Sequence, residues 1–162
     1  MSFSVRPGTA DDTRFIADML VEATNWNPMT RRPRVAVLAD PMVAHYISGW
    51  PQPSDRALIA VDADGTPIGA CWFRIFPRNA PGYGFVASGV PELGLGVSPV
   101  WRAQGVGREL LRQTVALAAS LGYQRLSLSV ERANYAHKLY QSEGFLVVSS
   151  GADSDTMVKT LL

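Results

Sequence analysis

The sequence predicts an α/β fold on a mixed β-sheet, and three observations carry that prediction. Two strand-like runs flank Asp62-Ala63-Asp64-Gly65-Thr66-Pro67, a hairpin signature that forces one antiparallel pair. Beyond them, strand and helix periods alternate as βαβαβ, the order that builds an open α/β sheet. The 162 residues are the size of one domain, read here as 1–162, with enough apolar content for a sizeable core.

Each element has its own justification. Residues 3–6 alternate as a short strand, ended by Pro7-Gly8. Thr9 or Asp11 can cap a helix whose apolar positions are Phe15, Ile16, Met19 and Leu20, fading near Asn25-Trp26-Asn27-Pro28. A basic, proline-containing link over 30–34 leads to a second helix over about 35–47, closed by Ser48-Gly49. Residues 57–61 and 68–76 are the hairpin strands. Residues 77–90 are rich in glycine and proline and too long for a mere connector, so they read as a functional lid or a disordered loop. Residues 92–97 form a short apolar strand. Pro99 ends it, because proline lacks a donor and disfavours helical backbone at Ser98. Val106, Leu110, Leu111, Val115, Leu117, Ala118 and Leu121 make one face of a long helix, which Gly122 closes. A strand over 125–130, a helix over 134–142 and strands over 145–150 and 157–161 complete the chain.

Composition excludes several function classes. A net charge of +1, with no basic patch interleaved with aromatics, gives no footing for nucleic acid. The single cysteine, Cys71, permits no intrachain disulfide and suits a reducing compartment; it reads as a small buried hydrophobe beside Trp72. No run has the length of a membrane span, and the N-terminal residues lack the apolar core of a signal peptide. The expectation is a soluble cytoplasmic protein with no membrane or nucleic-acid partner. The two histidines, His45 and His137, lack companions at ligand spacing, so no metal site is expected, and His137 reads as a surface residue.

The chemistry concentrates where the 92–97 strand meets the long helix. Arg102-Ala103-Gln104-Gly105-Val106-Gly107 places two glycines at the start of that helix. The first turn of a helix leaves N–H groups unpaired and carries about half a unit of positive charge. Glycines remove the Cβ atoms that would hold a ligand off, and Arg102 and Arg108 flank the turn with charged donors. The combination suits a diphosphate. It is not a Walker loop, whose spacing and lysine are missing, nor a Rossmann fingerprint, since Gly94 and Gly96 lie inside the strand with no third glycine at the right offset. The alternative is that Gly105 and Gly107 only allow close helix–strand packing.

This segment resembles the (Arg/Gln)-x-x-Gly-x-(Gly/Ala) signature of the GNAT superfamily of acyl-CoA-dependent N-acyltransferases. Asn134, Ala136, Leu139, Tyr140, Gly144 and Phe145 resemble that family's second signature, in matching order and spacing. Two positions depart from its commonest wording: Gln104, where glycine or arginine is frequent, and Tyr135, where proline often stands. The resemblance implies a mostly antiparallel sheet of six or seven strands, about four flanking helices and central strands that splay. It implies acetyl-CoA as cosubstrate, its diphosphate on the N–H groups of Gln104, Gly105, Val106, Gly107 and Arg108, with Arg102 and Ala103 nearby, and Asn134 as a polar contact to the cofactor arm, an N-cap role being the alternative. The amides of the pantetheine arm would pair with the exposed edge of Leu95, Gly96 and Val97, where Gly94 and Gly96 favour a bulge. Tyr140 is the implied general acid, with a plain core tyrosine as the rival reading. For the general base the candidates are Glu92 and Glu131, either of which could be a solvated strand-end charge, or water alone. Trp26, Trp50, Tyr83 and Phe85 fall where such a fold binds the acceptor. The reading is direct transfer to a small primary amine in a ternary complex. A protein amine as acceptor and a non-catalytic acyl-CoA-binding module are its rivals. The oligomeric state is open, a homodimer being one option.

Overall fold

In the computed structural model, which describes residues 2–161, seven strands form one sheet in the order β1-β2-β3-β4-β5-β7-β6. They are β1 (Phe3–Pro7), β2 (Arg56–Asp62), β3 (Pro67–Arg74), β4 (Glu92–Val97), β5 (Arg125–Glu131), β6 (Leu146–Ser150) and β7 (Ser154–Thr160). Every neighbouring pair is antiparallel except β4 and β5. The helices are α1 (Thr13–Thr24), α2 (Arg34–Ala39), α3 (Pro41–Ala44), α4 (Val106–Ser120) and α5 (Ala136–Ser142). The hairpin turn forms as expected: Asp62 Oδ1 accepts from the N–H groups of Asp64 and Thr66, and Gly65 takes a φ of +82°. Among the described residues no helix is long and apolar enough to cross a membrane.

Local chemistry moves several boundaries. The helix expected over 35–47 is two helices, because Pro41 excludes helical backbone at Asp40 (φ −74°, ψ 115°). Asp40 caps α3 instead, accepting from Met42 N–H at 3.0 Å. The α5 helix begins at Ala136 rather than 134, since Asn134 Oδ1 takes the Ala136 N–H at 2.9 Å in a local turn that competes with helix. Strand β7 starts three residues earlier than expected because its pairing with β5 runs on to Glu131↔Ser154. Thr9, not Asp11, is the cap near α1, in a reciprocal box with Asp12 over a 3₁₀ turn at Ala10–Asp12.

The sheet separates two cores. Helices α1, α2 and α3 cover one face, where Ile16, Met19, Leu20, Ile59 and Trp72 are buried together. Helices α4 and α5 cover the other with Leu110, Leu111, Phe73, Leu128, Tyr140 and Phe145. Gly96 lets α1 press on the sheet backbone: a Cβ there would lie 2.3 Å from the Met19 carbonyl oxygen. The bulge expected at Gly94 and Gly96 is absent, for β4 pairs with β3 in unbroken register from Gly69↔Val97 to Arg74↔Glu92. The opening lies on the other side of β4. Strands β4 and β5 share the single pair Glu92↔Ser127, with Ser127 N–H donating to the Pro91 carbonyl at 3.0 Å, and part beyond it.

Candidate active site

The gap between β4 and β5 floors a cleft of about 630 Å³. Ser98 N–H donates to the Ile68 carbonyl of β3 at 2.8 Å, which fixes the alternation along β4. The N–H groups of Leu95 and Val97 therefore turn away from β3 into the gap, while that of Gly96 turns toward β3. At the far end of this free edge stands the start of α4. Its N-cap, Gly105, has a φ of +85°, and no side chain caps the helix. A Cβ on Gly105 would meet nothing within 4 Å, and one on Gly107 would make only ordinary contacts of 3.7 Å with Leu139 and Val97. Helix–strand packing therefore does not require either glycine. Gly105 is needed for its backbone conformation, and the bare Gly107 leaves the helix start open to the cleft.

The charged donors beside this turn are already engaged. Arg102 reaches Glu22 of α1 at 3.2 Å and lies over the Tyr135 ring, and Arg108 bonds Ser142 Oγ at 3.0 Å and pairs with Glu143. Arg102, Ala103, Gly105, Val106, Gly107, Arg108 and Asn134 all reach the cleft wall, whereas Gln104 is exposed and off it.

The opposite end of the cleft is built from side chains. Glu92, the first residue of β4, is only 2% exposed. Its Oε2 accepts from the Tyr46 phenol and from Gly84 N–H (3.1 Å), while its Oε1 is buried without a hydrogen-bond partner among the described residues. Burial pushes the carboxyl up to about 7, against the opposing pull of the Tyr46 and Gly84 bonds. Tyr46 is itself fixed from both sides, because the buried Arg74, paired with Asp55 at 2.7 Å, donates to the carbonyls of His45 and Ser48. The 77–90 loop folds over this carboxyl. A Cβ on Gly82 would sit 2.4 Å from Glu92 Oε1, and one on Gly84 would sit 2.6 Å from the Leu128 backbone, so only glycines allow the loop to close there.

Tyr140 faces the same gap from the other core. Its phenol is buried, makes no hydrogen bond to the described residues, and is pushed upward by burial. Glu92 belongs to the α1 side of the sheet and Tyr140 to the α4 side. Only the parting of β4 and β5 lets the two groups share one cavity.

Residues 20–145 match the model of the acetyltransferase (GNAT) family. The chain belongs to that family. Among curated proteins, a mycothiol acetyltransferase from Propionibacterium freudenreichii subsp. shermanii is 35% identical over 95 residues, covering 57% of this chain and 28% of that protein. A second, from Beutenbergia cavernae, is 32% identical over 101 residues, covering 62% and 31%. The match thus spans less than a third of those relatives' length. Among solved structures, the PaiA N-acetyltransferase of Thermoplasma acidophilum, in complex with coenzyme A, superposes with a TM-score of 0.71 at 19% identity over 99% of both chains. YncA of Salmonella typhimurium, a putative acetyltransferase with acetyl-CoA, gives 0.70 at 20% identity over 100% of this chain and 95% of that one. These two likenesses establish the GNAT fold.

The remaining expected residues divide. Glu131 lies at the exposed rim of the cleft, where it accepts from Trp26 Nε1 at 2.5 Å. Tyr83 lines the cleft and stacks on Tyr46 with ring centroids 6.3 Å apart. Trp50 and Phe85 do not line it; they pack under Arg74 and Arg78. His137 is not a free surface residue but is half-buried and bonded to Asp155 at 2.9 Å. Tyr46 is absent from the sequence reading. The one hint of Tyr46 is the glycine pair at 82 and 84, whose spacing implies that the loop backbone closes on something.

Proposed function

We propose that this acetyltransferase moves an acetyl group from acetyl-CoA to the primary amine of a small acceptor, by direct attack in a ternary complex. One observation carries the reading: an unpaired strand edge runs from an uncapped, glycine-bearing helix start to a buried carboxyl that titrates near neutrality. The residues present fit the coenzyme. The open N–H groups at the start of α4, from Gly105 to Arg108, suit its diphosphate, with Arg102 and Ala103 alongside and Asn134 toward the arm. The edge at Leu95 and Val97 suits the amides of its arm. The coenzyme supplies the acetyl thioester.

The protein groups then have separable tasks. An alkylamine, with an ordinary pKa near 10.4, is almost wholly protonated at neutral pH and must lose a proton before it attacks. Glu92 at about 7 is ionised enough to take that proton and more basic than an ordinary carboxylate. The N–H groups of Leu95 and Val97 face the place where negative charge grows on the acyl oxygen. Tyr140, whose raised pKa keeps its proton in place, supplies that proton to the departing sulfur, and its phenolate takes back the second proton, which nitrogen sheds once the N–C bond has formed. The ordinary pKa values of phenol and thiol make this transfer uphill, so its driving force is the positioning of the phenol at the sulfur. Every group comes from one chain. A cytoplasmic location fits the free, buried Cys71.

The test is release of free thiol from acetyl-CoA in the presence of amines. Thiol release that depends on an acceptor is expected, and tight coenzyme binding with no such release sinks the proposal. Tyr140→Phe, which keeps the packing against Phe145, should lower turnover about 100-fold while coenzyme affinity stays within about twofold.

A further inference from the structure

Glu92 has one side-chain partner, and that partner also holds the loop above it. Arg74 stands opposite Glu92 in the β3–β4 register, yet every donor of its guanidinium is directed elsewhere. Nε and Nη2 donate to Asp55 at 3.1 and 2.7 Å, and Nη1 donates to the carbonyls of His45 and Ser48 at 3.0 and 2.7 Å. Among the described residues no salt bridge reaches Glu92. What holds the carboxyl is two hydrogen bonds to Oε2, one from the Tyr46 phenol and one from Gly84 N–H at 3.1 Å.

The Tyr46 oxygen is used twice. It donates its one proton to Glu92 and accepts the Tyr83 N–H of the 77–90 loop at 2.9 Å. A Cβ on Gly82 would lie 3.0 Å from the same oxygen, so the loop backbone closes on the phenol as well as on the carboxyl. The buried ring has little room to move, packed edge-on against Phe76 with centroids 5.1 Å apart. Its neighbour His45 meets the same loop, Nε2 lying 2.6 Å from the Ala80 carbonyl. The position of the loop and the position of the carboxyl therefore meet at one atom.

We propose that Tyr46 is the positioning residue of this active site, its phenol holding the Glu92 carboxylate in place and tying that place to the closed 77–90 loop. This rests on the reading of Glu92 as the base and names the residue through which the base is set. Tyr46 itself transfers no proton, because burial, and then the charge of Glu92, raises its phenol far above the ordinary value. It acts through the carboxyl. A donor to the charged form opposes the burial that raises Glu92, and so keeps the base ionised near neutrality. A tyrosine that only filled space would not need its oxygen.

Tyr46→Phe keeps the ring and removes the oxygen. The lower limb of kcat/KM should then move up from about 7 by about one pH unit, the scale of one hydrogen bond to a charged group. The loss should be about tenfold below pH 7 and shrink as pH rises, whereas a packing role lowers the rate equally at every pH. In the Glu92→Gln background the same substitution should change turnover by less than about threefold, since its target is gone. Losses that multiply, or a limb that stays in place, overturn the proposal. Two readouts need no acceptor. Carboxyl-carbon NMR should show the Glu92 titration moving up in Tyr46→Phe, and the Tyr83 amide should exchange with solvent about tenfold faster or more. An unmoved titration or unchanged exchange overturns the role of Tyr46 and leaves acetyl transfer standing. Wild type that releases no thiol to any amine strikes the acetyl-transfer reading instead, while these two readouts still decide what Tyr46 holds.

Discussion

The two ends of the cleft are made of different material. The α4 end is main chain: the N–H groups of one helix start and of one strand edge, aligned by Gly105, Gly107 and the alternation of β4. The β4-start end is side chain: Glu92, Tyr46, Tyr83 and Arg32, drawn from four separate segments. Backbone binds what a whole family shares, because it cannot vary with sequence. Side chains bind what distinguishes one member. On the proposed reading, that difference assigns the shared donor to one end of the cavity and the individual acceptor to the other.

The strongest way to break this division is Glu92→Gln. Glutamine keeps acceptors for the Tyr46 and Gly84 bonds but removes the base, so turnover should fall about 10²- to 10⁴-fold with coenzyme affinity retained. In the wild type, kcat/KM should rise with pH through about 7 as the carboxyl ionises, and this limb should vanish in the variant. Stability supplies an independent reading. The folded protein holds the Glu92 proton up to about 7, the unfolded chain only to about 4.5. Between those values the folded state binds more protons, so stability falls as pH rises, and the loss is complete above 7. The variant escapes that loss and should gain on the wild type across this window, by up to about 3 kcal/mol. A gain with the opposite sign would mean that Glu92 is held as a stabilised carboxylate and is no base.

The same division decides what could be read from sequence. The α4 end is legible because its parts are contiguous: Val97, Pro99, Arg102, Gly105 and Gly107 follow one another within a dozen residues. The other end depends on contacts between distant segments. Tyr46 lies 46 residues from Glu92, and Trp26 lies 105 residues from Glu131. No local period reports such a meeting, so Glu92 and Glu131 look equivalent in sequence, each a carboxylate at a strand end. Burial separates them, and burial is a property of the whole fold. Where the sequence reading errs locally, as at Pro41, the information was present and a single ring settles it.

Gly107→Ala probes the main-chain end alone. The added methyl finds ordinary contacts at 3.7 Å, and alanine favours helix, so stability should hold or rise by about 0.5–1 kcal/mol. Coenzyme affinity should nevertheless fall about tenfold, as the methyl stands where the helix start opens to the cleft. A variant that folds well and binds coenzyme normally would place the diphosphate away from α4.

Glu131→Gln is expected to do least, and its smallness is the point. The rim carboxylate accepts one bond from Trp26 in an exposed setting, and glutamine can accept the same bond. Turnover should stay within about threefold and stability within about 1 kcal/mol, the range of exposed polar contacts. The pH profile must keep its limb near 7, since Glu92 is untouched. Should the limb disappear here and persist in Glu92→Gln, the roles of the two carboxylates exchange. The base would then sit at the solvent edge beside Trp26, and Glu92 would be a buried strut that holds the 77–90 loop through Tyr46 and Gly84. The burial that distinguishes the two residues argues for the first arrangement, because a desolvated carboxyl is the more basic partner for an incoming ammonium.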